Sequence, residues 1–256
     1  MVRFLGLVLV LMACTCIPAA AAPPQSAPAP KPLAPAAAGS QTAALAIPVP
    51  VAHALEKSDL DAFFDGAIPL QLQRSDIAGA TVLVMKDGQT LLKKGYGYAD
   101  FSKKKPVDPD TTIFRLASIS KLFTWTSVMQ LAEQGRLDID ADVNKYLDFQ
   151  ITPAFGKPVT LRNLMTHTGG FEEEIRDIIF TDPKLASPLR DFLIANQPRR
   201  MYPPGEVSAY SNYGVGLAGY IVQRVSGQPF EQYVLDHIFQ PLGMTHSIFR
   251  QPLKDD

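Results

Sequence analysis

Ser118-Ile119-Ser120-Lys121 places a serine and a lysine three residues apart at the start of an apolar run that reads as a helix. On a helix, positions i and i+3 share a face, so the Lys121 ammonium can reach the Ser118 hydroxyl. A serine hydroxyl is a weak nucleophile until a base takes its proton or a nearby charge favours the alkoxide. The helix start adds a positive field and free backbone N–H groups, both suited to a developing anion. A lysine held in a dry pocket can lose proton affinity and share in proton transfer. The competing reading of Ser118 is a plain helix N-cap. Ser102-Lys103-Lys104-Lys105 repeats the spacing, but Pro106 follows it and no apolar helix does, so it reads as a charged loop.

Tyr210-Ser211-Asn212 supplies further chemistry. It follows the turn Pro203-Pro204-Gly205 and opens another apolar helix. A phenol titrates near a pKa of about 10, and a neighbouring ammonium stabilises its phenolate. Tyr210 could then act as general base toward Ser118. The Asn212 carboxamide can bond a substrate amide or Lys121. The competing reading of Tyr210 is a packing aromatic.

The other polar residues read as structural. His167 in Thr166-His167-Thr168 is expected to be a hydrogen-bonded framework residue. Glu172-Glu173-Glu174 reads as a solvated helix start favoured by the dipole. Lys103-Lys104-Lys105 is too short a basic run to imply nucleic acid or membrane. Gly95-Tyr96-Gly97 lacks the strand-to-helix context of a phosphate loop. The domain has no His-x-His, His-Glu-x-x-His or Cys cluster, so no metal and no cofactor are expected.

The elements that must position these residues follow from periodicity. A helix is expected from Ser58 to Arg74, with apolar positions at Leu60, Phe63, Phe64, Ile68 and Leu70 and a kink or division at Pro69. Thr81 to Lys86, Asp87-Gly88, and Gln89 to Lys94 read as a hairpin, with Gly95 to Asp100 closing the second strand. A helix over Ser118–Gln134 carries Leu122, Trp125, Val128, Met129 and Ala132 on its apolar side and stops at Gly135. Further helices are expected over Leu161–Thr166, Pro188–Asn196, Asn212–Gly227 and Phe230–Phe239. Strands followed mostly by helices define an α+β, layered fold. A lone hairpin makes a marginal sheet, and no clear strand follows Ile113.

Together these pieces resemble the serine β-lactamase superfamily, in the branch of class C β-lactamases, D-Ala-D-Ala carboxypeptidases and esterases. That branch carries Ser-x-x-Lys with Tyr-x-Asn, where other penicillin-recognising enzymes carry Ser-Asp-Asn second. Phe114 to Lys121 looks like its first block, Leu161 to Gly170 like an intermediate block, Pro204 to Gly214 like the second, and Phe239 to Met244 like the stretch that follows. The likeness runs from about Ser58 to Phe249, in family order. It implies Ser118 as the acylated nucleophile, Lys121 and Tyr210 as the groups handling its proton, and Asn212 as a substrate contact. The Ser118 backbone N–H would be half of an oxyanion hole. The substrate would be a β-lactam, a D-amino-acid peptide or a small ester, with no nucleic-acid partner.

The family's third motif, Lys- or His-x-Gly on a later sheet strand, has no match after Tyr210. His237 precedes Ile238-Phe239, His246 precedes Ser247-Ile248, and Lys254 precedes Asp255-Asp256. The chain therefore reads as the N-terminal portion of such a fold, its sheet incomplete for want of C-terminal strands. A truncated product, a fragment of a longer protein, and a chain completed by another segment are all compatible with that. Loss of one oxyanion donor lowers rates on the order of 10²–10³, so weak or no hydrolysis is expected. The alternative is a non-catalytic, penicillin-binding-like module that binds peptidoglycan fragments or a protein partner.

Composition agrees with an exported globular domain. The 256 residues are 46% hydrophobic and 19% charged with a net charge of -1, which excludes a wholly disordered or fibrous chain and disfavours a nucleic-acid binder. Met1-Val2-Arg3, the apolar Phe4 to Met12, and small residues to Ala22 have the layout of a signal peptide over 1–22. Residues 23–53 form an Ala/Pro-rich, extended linker, and the domain occupies 54–256. Leu11-Met12-Ala13-Cys14 loosely matches a lipoprotein box, which makes Cys14 a candidate lipid anchor. Cys14 and Cys16 both lie in the leader, so the processed chain would have no disulfide. A periplasmic or extracellular location is expected, with no transmembrane span beyond the leader.

Overall fold

The computed structural model describes residues 54–175, 178, 182 and 187–250; the expected leader and linker lie outside the described residues. The chain divides into two compact units, Met1–Leu60 and Asp61–Asp256, and the second holds the sheet and the packed helices.

Helix α1, Lys57–Arg74, contains Pro69 without being divided by it. Its expected apolar stripe is only partly covered, since Phe63 and Leu70 are exposed. Within the second unit a polar cluster ties this helix to the sheet. Asp65 accepts from Tyr96 Oη at 2.9 Å and from Lys94 Nζ at 2.8 Å.

Strands β1 (Gly79–Lys86) and β2 (Gln89–Asp100) form the expected antiparallel hairpin, from Gly79 opposite Gly97 to Lys86 opposite Gln89. Asp87 and Gly88 both have positive φ, 52° and 75°, which matches the right-handed strand twist at a two-residue turn. A third strand, β3 (Lys105–Pro106), pairs with β2, so the described sheet has order β1-β2-β3. The sequence reading put these residues in a loop. Two residues carry no alternation to detect, and Pro106 is tolerated because the strand lies at an edge.

The helical region is built around α5, Asn212–Ser226. Its N-cap is Ser211, whose hydroxyl accepts from the Gly214 N–H, and it stops at Gly227 in the left-handed conformation, φ 78°. Leu217, Ala218, Ile221 and Val222 of α5 are fully buried against Val128 and Leu131 of α2 (Lys121–Glu133), Leu161 and Leu164 of α3 (Leu161–Met165), and Leu193 of α4 (Leu189–Ala195). Each of these leucine, isoleucine and valine side chains contributes on the order of 2 kcal/mol of burial. A smaller cluster gathers Val234, Ile238 and Phe239 with Phe123, Phe230 and Phe249. It includes α6, Phe230–Val234, which continues as a π-helical turn over Leu235–Phe239.

Helix α2 keeps part of its expected face, since Val128 is in the core and Trp125 and Ala132 pack against it, but departs from it at two positions. Thr124, Ser127, Val128 and Leu131 are buried, whereas Leu122 and Met129 are exposed. Ser127 is accommodated because its hydroxyl donates to the Phe123 carbonyl one turn back, at 2.8 Å. The described residues have an α+β fold: a three-stranded antiparallel sheet and a helical region with its own core.

Candidate active site

Ser118 does not lie in the first turn of α2. It sits in a separate 3₁₀ turn, Ala117–Ser120, that leads into the helix. Such a turn repeats every three residues, so i and i+3 eclipse, and the Lys121 side chain lies directly over Ser118. Lys121 Nζ donates to Ser118 Oγ at 3.0 Å. The N-cap reading of Ser118 fails here. Ser120 is the N-cap of α2, and neither turn has a side-chain cap bond. Ala117, just before the serine, has φ 46°, a left-handed conformation that costs a non-glycine residue about 1 kcal/mol or more.

Tyr210 comes from the other end of the region, yet its hydroxyl is 2.6 Å from Ser118 Oγ. Lys121 Nζ also lies 4.8 Å from the Tyr210 ring centre. Burial pushes the Tyr210 phenol up, but hydrogen bonds to Lys121 and Ser118 and the Lys121 charge outweigh it, so its pKa falls below the ordinary tyrosine value. Asn212, the first residue of α5, accepts from Lys121 Nζ through Oδ1 at 2.8 Å. Ser118, Lys121, Tyr210 and Asn212, the residues singled out in the sequence, thus form one hydrogen-bonded constellation. Ser118 and Tyr210 are open to solvent.

A single segment holds the Tyr210-Ser211-Asn212 turn in place. The His167 carbonyl accepts from the Ala209 N–H at 2.7 Å, and His167 Nδ1 accepts from the Ser211 N–H at 3.3 Å. The His167 ring lies against Tyr210, with centres 4.5 Å apart, and edge-on to Trp125 of α2 at 6.3 Å. Burial first, and then the Lys121 ammonium, lower the His167 pKa from its ordinary value, with Glu173 pulling the other way. Further along, Gly170 has φ 76°, and a Cβ there would collide with the Tyr202 carbonyl. Only glycine lets the two backbones pair this closely, and the Met201 N–H reaches the Gly170 carbonyl at 2.7 Å.

Glu173 was missed in the sequence. Glu172-Glu173-Glu174 is not a helix start; these residues follow an isolated bridge between Phe171 and Arg200 and lie outside any helix. The Glu173 carboxylate accepts from the Asn212 backbone N–H at 2.8 Å and from Asn212 Nδ2. No periodicity could reveal this, because the contact spans 39 residues. The only local hint was the absence of a capping side chain before the acidic run, where Gly170 and Phe171 stand.

The fold is one of antiparallel strands and packed helices, with a serine held between a lysine and a tyrosine. The Beta-lactamase family model matches residues 64–256. The chain belongs to that family, which groups serine hydrolases and penicillin-binding-protein-like relatives. It is 32% identical over 198 residues to Protein flp of Staphylococcus aureus (strain MW2), covering 76% of this chain and 39% of that protein. It superimposes on the octameric penicillin-binding protein homologue from Pyrococcus abyssi with a TM-score of 0.63 and 30% identity, covering 75% of this chain and 44% of that one. The Beta-Lactamase/D-Alanine Carboxypeptidase from Pseudomonas syringae gives a TM-score of 0.60 and 27% identity, over 73% of this chain and 50% of that one. The chain therefore spans half or less of the length of these relatives.

Proposed function

We propose that the chain carries an acyl-transfer site in which Ser118 attacks the carbonyl of a β-lactam, a D-amino-acid peptide or a small ester. The contact of Ser118 Oγ with both Tyr210 Oη and Lys121 Nζ supports this reading most directly. Lys121 donates to Ser118 and to Asn212, which suits a charged ammonium that stabilises neighbouring anions. Tyr210, with its lowered pKa, is the better proton acceptor. In the proposed step the Ser118 Oγ–C bond forms and the serine proton passes to the Tyr210 phenolate; the C–N or C–O bond of the substrate then breaks as Tyr210 returns that proton to the leaving nitrogen or oxygen, which in a β-lactam stays tethered to the acyl group. Water then cleaves the ester, regenerating the Ser118 hydroxyl and releasing the acid. The Ser118 N–H, in the first turn of its 3₁₀ segment, is an available donor for the oxyanion. Asn212 keeps one N–H for a substrate oxygen among the described contacts. Export through a leader at 1–22 belongs to the same proposal and rests on sequence layout alone.

The test is covalent capture. The protein is incubated with a fluorescent fluorophosphonate and, separately, a fluorescent penicillin, and the modified peptide is identified by mass spectrometry. An adduct on Ser118, absent from Ser118→Ala, is expected even where turnover is slow. If neither reagent marks Ser118, the non-catalytic, penicillin-binding-like module becomes the better reading.

A further inference from the structure

We infer that Glu173 is a positioning residue: its carboxylate sets which way the Asn212 carboxamide faces, and thereby where the Lys121 ammonium is held, a role that rests on the acyl-transfer reading above. A carboxamide is nearly symmetric in shape but not in chemistry, with an acceptor on one side and donors on the other. With Oδ1 toward Lys121 the contact is a hydrogen bond of 2.8 Å. Rotated by half a turn, the carboxamide would set its N–H groups against the ammonium. An ionised carboxylate is an acceptor only, so Glu173 accepts one orientation of Asn212 and rejects the other.

The Glu173 side chain acts on backbone and side chain at once. One oxygen takes the Asn212 N–H at 2.8 Å, and the other takes Nδ2. Asn212 opens a helix of 15 residues, where an anion is favoured by the exposed N–H groups and the dipole. Lys121 donates both to Ser118 Oγ and to Asn212 Oδ1, and from Asn212 Nδ2 the next bond runs on to Glu173 in the same sense as the Lys121–Asn212 bond. Aligned bonds of this kind polarise one another, which strengthens Oδ1 as the acceptor that steers Lys121.

Four variants separate this role from mere space-filling. Glu173→Gln keeps the shape but offers a single oxygen to two donors. Glu173→Ala removes both acceptors. Glu173→Gln with Asn212→Asp restores complementarity: the glutamine oxygen takes the backbone N–H of position 212, its amide donates to the new carboxylate, and the second oxygen of that carboxylate takes Lys121. Asn212→Ala serves to assign the Asn212 side-chain amide in ¹⁵N spectra of the whole 256-residue chain.

The expected results are an Asn212 amide proton that is downfield and slow to exchange in the unsubstituted protein, and exchange at least about tenfold faster in Glu173→Ala and Glu173→Gln. The melting temperature should fall in Glu173→Gln and recover in the double variant. Fluorophosphonate modification of Ser118 should slow about fivefold or more in Glu173→Ala, in line with a charge-assisted bond lost. Unchanged Asn212 exchange in both single variants overturns the inference, as does an unchanged Ser118 rate. If Asn212 responds to Glu173 while Ser118 is never modified in the unsubstituted protein, the positioning of Asn212 stands and the acyl-transfer reading falls.

Discussion

Ser118 Oγ and Tyr210 Oη stand 2.6 Å apart across 92 residues of chain. Lys121 Nζ lies 3.0 Å from the same Oγ; under the proposed acyl transfer Tyr210 would take the serine proton and Lys121 would steady the charge that remains. Lys121 and Ser118 hold the Tyr210 pKa below the ordinary tyrosine value of about 10, against the opposing effect of burial. The phenolate is the form that accepts a proton, so the rate of Ser118 modification should rise with pH with a midpoint below that value. Tyr210→Phe should remove this rising limb and lower the plateau by about 10²–10⁴, the usual worth of a general base. Stopped-flow labelling across the alkaline range would measure both. A profile identical in Tyr210→Phe would assign the proton to another group.

His167 should make stability sensitive to mild acid. Its Nδ1 accepts from the Ser211 N–H, which an imidazolium cannot do. Burial and then the Lys121 charge lower its folded pKa, while Glu173 opposes them. In the unfolded chain the value returns to about 6.5. Between the two values the unfolded state binds more protons, so stability is full above the unfolded pKa and falls as pH drops toward the folded one. His167→Asn can keep φ 56° and offer an oxygen to the Ser211 N–H without titrating. Urea unfolding at several pH values below neutrality should show a slope in the parent that the His167→Asn variant lacks. Equal slopes would mean that other groups carry the dependence.

Much of the site was legible in sequence because its members sit in short, chemically marked strings at helix starts. Ser118, Lys121, Tyr210 and Asn212 could be named because the two strings taken together resemble a known family; taken alone, Ser118 read as a helix cap and Tyr210 as a packing aromatic. Glu173 could not, because a glutamate within a run of three looks the same whether it is solvated or bonded across 39 residues. The hairpin was visible in its turn dipeptide, whereas β3 has only Lys105 and Pro106 to show. The face of α2 was read correctly at Val128, Trp125 and Ala132 and misjudged at Leu122 and Met129. Ser127 hides its polarity by bonding back to Phe123, so a hydroxyl went inside while Leu122 stayed out.

Gly170→Ala should be costly far beyond what one added methyl group costs where there is room for it. The positive φ of 76° strains an alanine, and the new Cβ would meet the Tyr202 carbonyl, a backbone atom that cannot swing aside. Strain and overpacking of this kind typically cost about 1–3 kcal/mol each. A destabilisation of about 3 kcal/mol in denaturant unfolding is expected, with slower Ser118 labelling because the 167–173 segment carries the Tyr210 turn. A shift of a few tenths of a kcal/mol would show that the two backbones can part without loss.

Helix α2 and the turn before it offer a contrast in burial. Ile119 and Leu122 flank Ser118 and Lys121 in sequence and are 65% and 61% exposed, whereas Leu131, on the same helix as Leu122, is fully buried. Burial and not side-chain type should decide the effect of truncation. Leu131→Ala removes contacts on all sides and leaves a cavity, at a cost of about 2–5 kcal/mol. Leu122→Ser removes little that is out of water, so its cost should stay within about 0.5 kcal/mol. Exposed apolar side chains beside one another also bind hydrophobic dyes and promote self-association. The pair Ile119→Ser with Leu122→Ser should therefore lower dye fluorescence and raise the concentration at which the protein stays monomeric, with its melting temperature nearly unchanged. A loss of stability comparable to that of Leu131→Ala would mean that these two side chains are covered in solution, and that the surface beside Ser118 is not open.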